Sequence, residues 1–244
     1  ASSPPDVGIQ TSAVLSSAKN GGELIYEGQE FYEKNPHKAG NGALMRTGPV
    51  ALSALGDRAR VAENSAAVAA LTHAHPDSIT ACVLWSLAIE EAIMTAEFDE
   101  AFDWERAVKN GLSYVNFGLV NRWEELIEEA VQGPSMLFNP NGYVVSAFQA
   151  ALSAIIETPV PVDNPSGHFK SALQTAIQIG DDCDTVAAIA GSLLGARWGT
   201  NAIPKEWKKI IHGTRTVGSE IVNFAELEAL TKDAVEEIFI KRVP

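Results

Sequence analysis

Apolar residues recur every three or four positions in almost every stretch longer than ten residues, while alternating and β-branched runs are scarce. The pattern predicts an all-α chain. Helices are expected at about 10–19, 22–34, 42–56, 58–72, 76–97, 103–116, 121–132, 143–157, 166–178, 184–198, 204–211 and 224–240. Turn residues separate them at Asn20-Gly21-Gly22, Gly133-Pro134, Asn139 through Gly142 and Pro159 through Gly167. Ser166 is placed to cap the helix carrying Phe169, Leu173 and Ile177, and Asp103 to cap the one starting at Trp104. Trp85, Trp104, Trp123, Trp198 and Trp207 are spaced like residues on core-facing helix surfaces. No loop has the length of an interdomain linker and no repeat is evident, so a single domain over 1–244 is expected.

Composition narrows the class without naming a function. With 46% hydrophobic and 20% charged residues among 244, the chain has material for a full core, and disorder or a fibrous fold is excluded. A formal charge of −13 argues against general electrostatic affinity for nucleic acid or anionic membranes, which reward a basic face. Cys82 and Cys183 both lie in apolar surroundings, as free thiols in a reducing compartment would. No run approaches the roughly 20 apolar residues of a membrane span, and Ala1 through Asp6 hold no apolar signal core, so a cytoplasmic location is expected.

The sharpest chemistry lies in Gly180-Asp181-Asp182-Cys183-Asp184-Thr185, where a glycine turn meets the apolar helix 184–198. Carboxylate and hydroxyl oxygens are the donors that hard divalent cations such as Mg²⁺ or Mn²⁺ take. Helix N-capping accounts equally for one Asp or Thr here, because both suit a helix start and its dipole. Three acidic residues together repel one another without a cation, so metal binding and capping both stand at this point. Gly191, Gly195 and Gly199 follow every fourth residue beside Ala187, Ala188 and Ala190, leaving a bare stripe that lets neighbours approach.

Two further segments carry polar chemistry. Ala39 through Pro49 exposes small residues ahead of a helix, a geometry able to hold phosphate or sugar oxygens, with Arg46 adding a cation. Local chemistry alone favours a capping loop with Arg46 in an ion pair. In Thr72-His73-Ala74-His75 no matching Cys or His pair follows, which disfavours zinc and leaves a polar corner with His73 hydrogen-bonded to a ligand or the backbone. His37, His168 and His212 stand alone and are expected to be solvated or structural. Nucleophile-elbow, Cys-x-x-Cys and phosphate-loop motifs are absent.

Taken in order, Asp6 through Thr11, Gly40 through Pro49, Thr72-His73 with Pro76, Asn141 through Val145, Gly180 through Thr185, then Gly191, Gly195, Gly199 and Ile203-Pro204 resemble the ADP-ribosylglycohydrolase family, which includes the dinitrogenase reductase-activating glycohydrolases. The resemblance covers nearly the whole chain. It implies an orthogonal multi-helix bundle around two Mg²⁺ or Mn²⁺ ions and an ADP-ribosyl group. Asp182, Asp184 and Thr185 then match metal ligands, while Asp181 replaces a family glycine and is not carried over. Asp6 matches an acid/base or substrate-orienting aspartate, Asn41, Gly42 and Met45 a substrate-lining loop, and His73 a ligand-side histidine. The implied reaction is hydrolysis at the ribose anomeric carbon of an adduct such as ADP-ribosyl-arginine, on an ADP-ribosylated protein or a small ADP-ribose derivative.

Family members usually open with a Gly-Asp-Ala-Leu-Gly-like helix and a Thr-Asp-Asp-Thr-like cluster that supplies further ligands. Neither motif occurs in this sequence. The expectation is therefore an N-terminally truncated domain holding one side of the metal site, its remaining ligands coming from a missing N-terminal segment. Apolar faces left open would suit a homodimer or a retained N-terminal fragment. The alternative is a non-catalytic relative that binds ADP-ribose or serves a structural role with an incomplete metal site.

Overall fold

The computed structural model describes residues 7–96, 101–214 and 221–240. Along them run α1 (Ile9–Ser17), α2 (Leu24–Lys34), α3 (Arg58–Ala70), α4 (Pro76–Met94), α5 (Trp104–Lys109), α6 (Val120–Gln132), α7 (Val144–Glu157), α8 (His168–Gln178), α9 (Cys183–Trp198) and α10 (Lys205–Lys208). A two-stranded hairpin follows, β1 (His212–Thr214) against β2 (Ile221–Asn223), and then α11 (Phe224–Ile240). The all-α expectation holds.

Helix α4 is mostly apolar and buried on every side, from Ala81 through Glu90 without a break, and a helix of that kind belongs in the middle. It packs on α3, α5, α7 and α9. Helix α6 illustrates the opposite pattern, burying only Trp123, Ile127 and Ala130 at intervals of four and three and leaving its acidic face to water. Trp85 of α4, Phe148 of α7 and Trp123 of α6 meet edge to face, both ring pairs 5.2 Å apart, so three helices share one aromatic ladder.

The expected helix 42–56 is instead two 3₁₀ turns, Leu44–Arg46 and Gly48–Ala54. Pro49 brings no N–H, and at Gly48 a Cβ would stand 2.8 Å from the Ser192 Cβ, so the segment is pressed against α9 and cannot widen into an α-helix there. The expected helix 103–116 likewise divides, α5 giving way to a 3₁₀ turn at Asn110–Tyr114 where Gly111 lies against Leu84. Asp103 caps α5 as expected, accepting from the Arg106 N–H at 2.9 Å. Ser166 does not cap α8: its hydroxyl donates to Asn164 at 3.0 Å, and the helix starts two residues later. Gly191 and Gly195 stand in ordinary contact with Leu173 and Phe169, so among these glycines the tight contact involving α9 is at Gly48 and not along the stripe.

Gly28 makes another close approach. A Cβ at this buried position of α2 would fall 2.6 Å from the Ala70 carbonyl oxygen at the end of α3. Gly28→Ala is expected to destabilise the protein by about 1–3 kcal/mol from overpacking, despite alanine's better helix propensity. A urea midpoint equal to that of the parent would show that α2 gives way without cost.

Cys82 is buried, Cys183 half-buried, and both are free. Burial pushes the Cys82 thiol up to about 12, which removes it from thiolate chemistry. Among the described residues no helix is long and apolar enough to cross a membrane.

Candidate functional site

Three segments meet at the N-terminal end of α9. The 180–182 turn delivers the chain to the helix with two successive left-handed residues, Gly180 at φ 78° and Asp181 at φ 56°. Glycine adopts that region freely; an aspartate there carries strain of about 1 kcal/mol or more. Asp181 gains a compensating contact, its Oδ2 accepting the Asn141 N–H at 3.0 Å. The residue that the resemblance sets aside as a ligand therefore has a bracing contact of its own.

Capping does not explain Asp182. It occupies the N-cap position, yet its side chain accepts no bond from the first turn of α9. Its Oδ2 instead accepts from Asn41 Nδ2 at 2.6 Å, across the gap between the glycine loop and the acidic turn. The same Asn41 nitrogen donates to the Asn141 carbonyl at 3.0 Å, so the expected substrate-side asparagine, itself buried, braces the turn through its amide. Asp184 is exposed, and its Oδ1 accepts the Thr185 N–H at 2.9 Å. Thr185 is buried beside the exposed Met45, whose sulfur lies 3.8 Å from its hydroxyl.

The glycine loop has its own support. Gly40 forms a β-bridge with Tyr143, and the Val144 N–H donates to the Ala39 carbonyl at 2.8 Å, which fixes residues 39–43 beside the start of α7. Tyr143 in turn donates its hydroxyl to Asp77 at 3.1 Å, and Asp77 takes a two-pronged contact from Arg122 of α6. His75 caps α4, its Nδ1 accepting the Asp77 N–H at 3.0 Å, a use incompatible with pairing to His73 around zinc.

His73 lies beneath the loop with only 2% of its surface exposed. Arg46 can only donate, and it donates to the Gly42 carbonyl and the Thr72 hydroxyl, each at 2.6 Å. The Thr72 proton is thereby directed to His73 Nδ1 at 2.7 Å, which leaves Nε2 carrying the ring proton, toward Gly42. A Cβ on Gly42 would stand 3.2 Å from that ring, so glycine is what lets the loop rest on it. Arg46 thus holds hydrogen bonds in place of the ion pair that local chemistry favours.

Burial, with the Arg46 charge as the smaller cause, holds His73 down at about 4. The folded value lies below the unfolded ~6.5, so the unfolded chain takes up the proton first as pH falls. Stability from this group is complete above about pH 6.5 and is lost on the way down to pH 4, on the order of 3 kcal/mol in all. In urea titrations at pH 7.5, 5.5 and 4.5, the wild type is expected to lose about 2–3 kcal/mol more stability over that range than His73→Gln. Equal losses would remove His73 as the cause.

His168, expected to be solvated or structural, is fully buried between Trp198 Nε1, which donates to its Nδ1 at 3.2 Å, and the Ile155 carbonyl, 3.0 Å from Nε2. A cavity of about 560 Å³ between α3 and α4, lined by Ala62, Ile79, Val83, Tyr114 and Leu119, contains none of the acidic-turn residues. Its walls are mostly apolar and hold none of the carboxylate–hydroxyl cluster, so volume and chemistry point to different places and the chemistry is the better guide. Asp6 lies outside the described residues.

The donor set suits a hard cation in kind. Asp182 keeps one carboxylate oxygen outside its bond to Asn41, Asp184 is open to solvent, and Thr185 adds a hydroxyl. In number it falls short of about six oxygens, and among the described residues no three His, Cys, Asp or Glu side chains group closely enough to hold a metal. The turn's donors thus match a hard cation in kind and not in number.

Comparisons with known proteins bear on the fold and the family of the chain. The solved "ADP-ribosylglycohydrolase-related protein complex" superposes with a TM-score of 0.62 at 21% identity over 96% of this chain and 83% of that one, a likeness of fold. The ADP-ribosyl-[dinitrogen reductase] glycohydrolase of Rhodospirillum rubrum is 30% identical over 75% of this chain and 54% of its own length. The ADP-ribosylarginine hydrolase Tri1 of Pseudomonas putida is 28% identical over 71% of this chain and 42% of its own. The chain thus spans about half the length of these curated relatives. A family profile described as ADP-ribosylglycohydrolase matches residues 1–241, and with the glycine loop, the Asn141 segment and the acidic turn meeting at one helix end, the chain belongs to the ADP-ribosylglycohydrolase family.

Proposed function

We propose that residues 1–244 form one ADP-ribosylglycohydrolase-like unit, part of a metal-dependent hydrolase that removes ADP-ribose from ADP-ribosyl-arginine or a related adduct by cleaving the bond at the ribose anomeric carbon. The observation that carries the reading is the Asn41–Asp182 contact at 2.6 Å, which joins a loop suited to sugar or phosphate oxygens to a turn suited to a hard cation. Both halves of such a site are needed together.

Asp182, Asp184 and Thr185 would hold part of the shell of two Mg²⁺ or Mn²⁺ ions, with the remaining ligands outside the described residues. Such ions, when bound, orient ribose hydroxyls and favour an activated water. Asn41 holds one Asp182 oxygen and leaves the other for an ion. Gly42 and Met45 line the substrate side, and His73 supports that loop from beneath. Asp6 is assigned the proton transfer that accompanies departure of the acceptor.

The test is release of free ADP-ribose from ADP-ribosyl-arginine, with and without Mn²⁺, by the chain alone and mixed with the N-terminal part of the Rhodospirillum relative. Divalent-dependent release in the mixture is expected. No release in any mixture, with ADP-ribose bound by calorimetry, would instead support a non-catalytic binding relative. The sparse grouping of ligands among the described residues is the observation that favours this second reading.

A further inference from the structure

Asn141 is fully buried, and every polar group it owns is used within the site. Its backbone N–H donates to Asp181 Oδ2 at 3.0 Å and its carbonyl accepts from Asn41 Nδ2 at 3.0 Å. Its side-chain oxygen accepts the Asp182 N–H at 2.9 Å, while its side-chain nitrogen donates to the Gly180 carbonyl at 3.2 Å. Three stretches distant in sequence are thus knit around one residue.

The carboxamide suits this place for a specific reason. It presents an acceptor and a donor side by side, matching the N–H of Asp182 and the C=O of Gly180 as a neighbouring peptide would. The turn needs such a partner because its two left-handed residues precede carboxylates that repel one another. Aspartate would keep the acceptor and lose the donor; alanine would lose both.

We propose that Asn141 is a positioning residue that sets the acidic turn, holding Asp182 at the start of α9 opposite Asn41 so that its free oxygen and those of Asp184 and Thr185 face a divalent cation together. This rests on the reading of the turn as a cation ligand set. Asn141 touches neither cation nor substrate; it acts through Asp182. Asn139 supplies the control, since its Nδ2 donates to the Ile179 carbonyl at 2.8 Å and docks the same loop without a hydrogen bond to residues 180–185.

The experiment compares the whole chain with Asn141→Ala and Asn139→Ala by two readouts: amide hydrogen exchange at Asp182 by NMR, and Mn²⁺ titration followed by the free-ion EPR signal. Asn141→Ala is expected to speed exchange at Asp182 and to weaken Mn²⁺ binding by roughly 10–100-fold, the usual effect of removing a group that orients a ligand. Asn139→Ala is expected to leave Mn²⁺ binding within about threefold of wild type, because no ligand leans on it. Wild-type Mn²⁺ affinity in Asn141→Ala, or an equal loss in Asn139→Ala, would overturn the proposal. A wild-type chain that binds no Mn²⁺ would instead overturn the reading of the turn as a cation site. Should Asn141→Ala not fold, Asn141→Ser replaces it, because its hydroxyl is too short to reach the Asp182 N–H.

Discussion

Asp184→Asn is expected to lower divalent-dependent release of ADP-ribose by on the order of 10³-fold while leaving the fold intact, since losing one charged ligand of a polarising ion costs several kcal/mol. The position allows a clean experiment. Asp184 is exposed, and its one hydrogen bond, Oδ1 to the Thr185 N–H, can be made equally by asparagine. What changes is a single negative charge beside Asp181 and Asp182. If the turn exists for a cation, activity falls and the melting temperature stays level or rises, because like charges are thinned where nothing else offsets them. If the acidic residues serve only the start of α9, activity is unaffected and the melting temperature falls as charge is lost near the helix dipole. The two readings predict different outcomes in both measurements, so thermal melts and release assays on one variant separate them. Full activity of Asp184→Asn would sink the ligand assignment.

The helical skeleton was legible because burial follows period: Trp123, Ile127 and Ala130 on α6 mark an inward face, and the apolar run of α4, interrupted only by Ser86 between Ala81 and Ile89, marks a central helix. Local period could not reveal that Gly48-Pro49 is pressed on Ser192, since that contact joins residues far apart in sequence. The hairpin escaped for another reason. His212, Gly213 and Thr214 are all exposed, so no alternation in the sequence announces a strand. At the site, the crowding of Asp182, Asp184 and Thr185 was visible as composition, whereas Asn141 reads in sequence as a turn residue beside proline and glycine. A faint signal was present: Asn139 and Asn141 flank one proline and bring more amide donors than a turn requires. Asp181 is the converse case. As an aspartate where the family pattern has glycine it looks like a substitution to set aside, but its left-handed backbone and its bond to Asn141 make it a brace.

Trp85→Ala is expected to be the most damaging single truncation in the core, at about 3–5 kcal/mol and roughly 10 °C in melting temperature for a chain of this size. Its ring is fully buried, meets Phe148 edge to face, and donates its Nε1–H to the Ile189 carbonyl at 3.0 Å and the Ser192 hydroxyl at 3.1 Å. Ile189 and Ser192 belong to α9, and Ser192 is also the residue against which Gly48 rests. Trp85 therefore ties the central helix α4 to the helix that presents the acidic turn, and to the segment that continues the glycine loop. A cavity there would loosen α9 along its length, so the site should suffer beyond the loss of stability. Measured well below its melting point, where the variant remains folded, Trp85→Ala should bind Mn²⁺ more weakly than the parent. Trp85→Phe should recover much of the stability, because the ring contact with Phe148 survives, but less of the Mn²⁺ affinity, because the hydrogen bond to α9 does not. Equal recovery of both by phenylalanine would place the contribution of Trp85 in packing alone, and would leave the orientation of α9 to its contacts with α7 and α8.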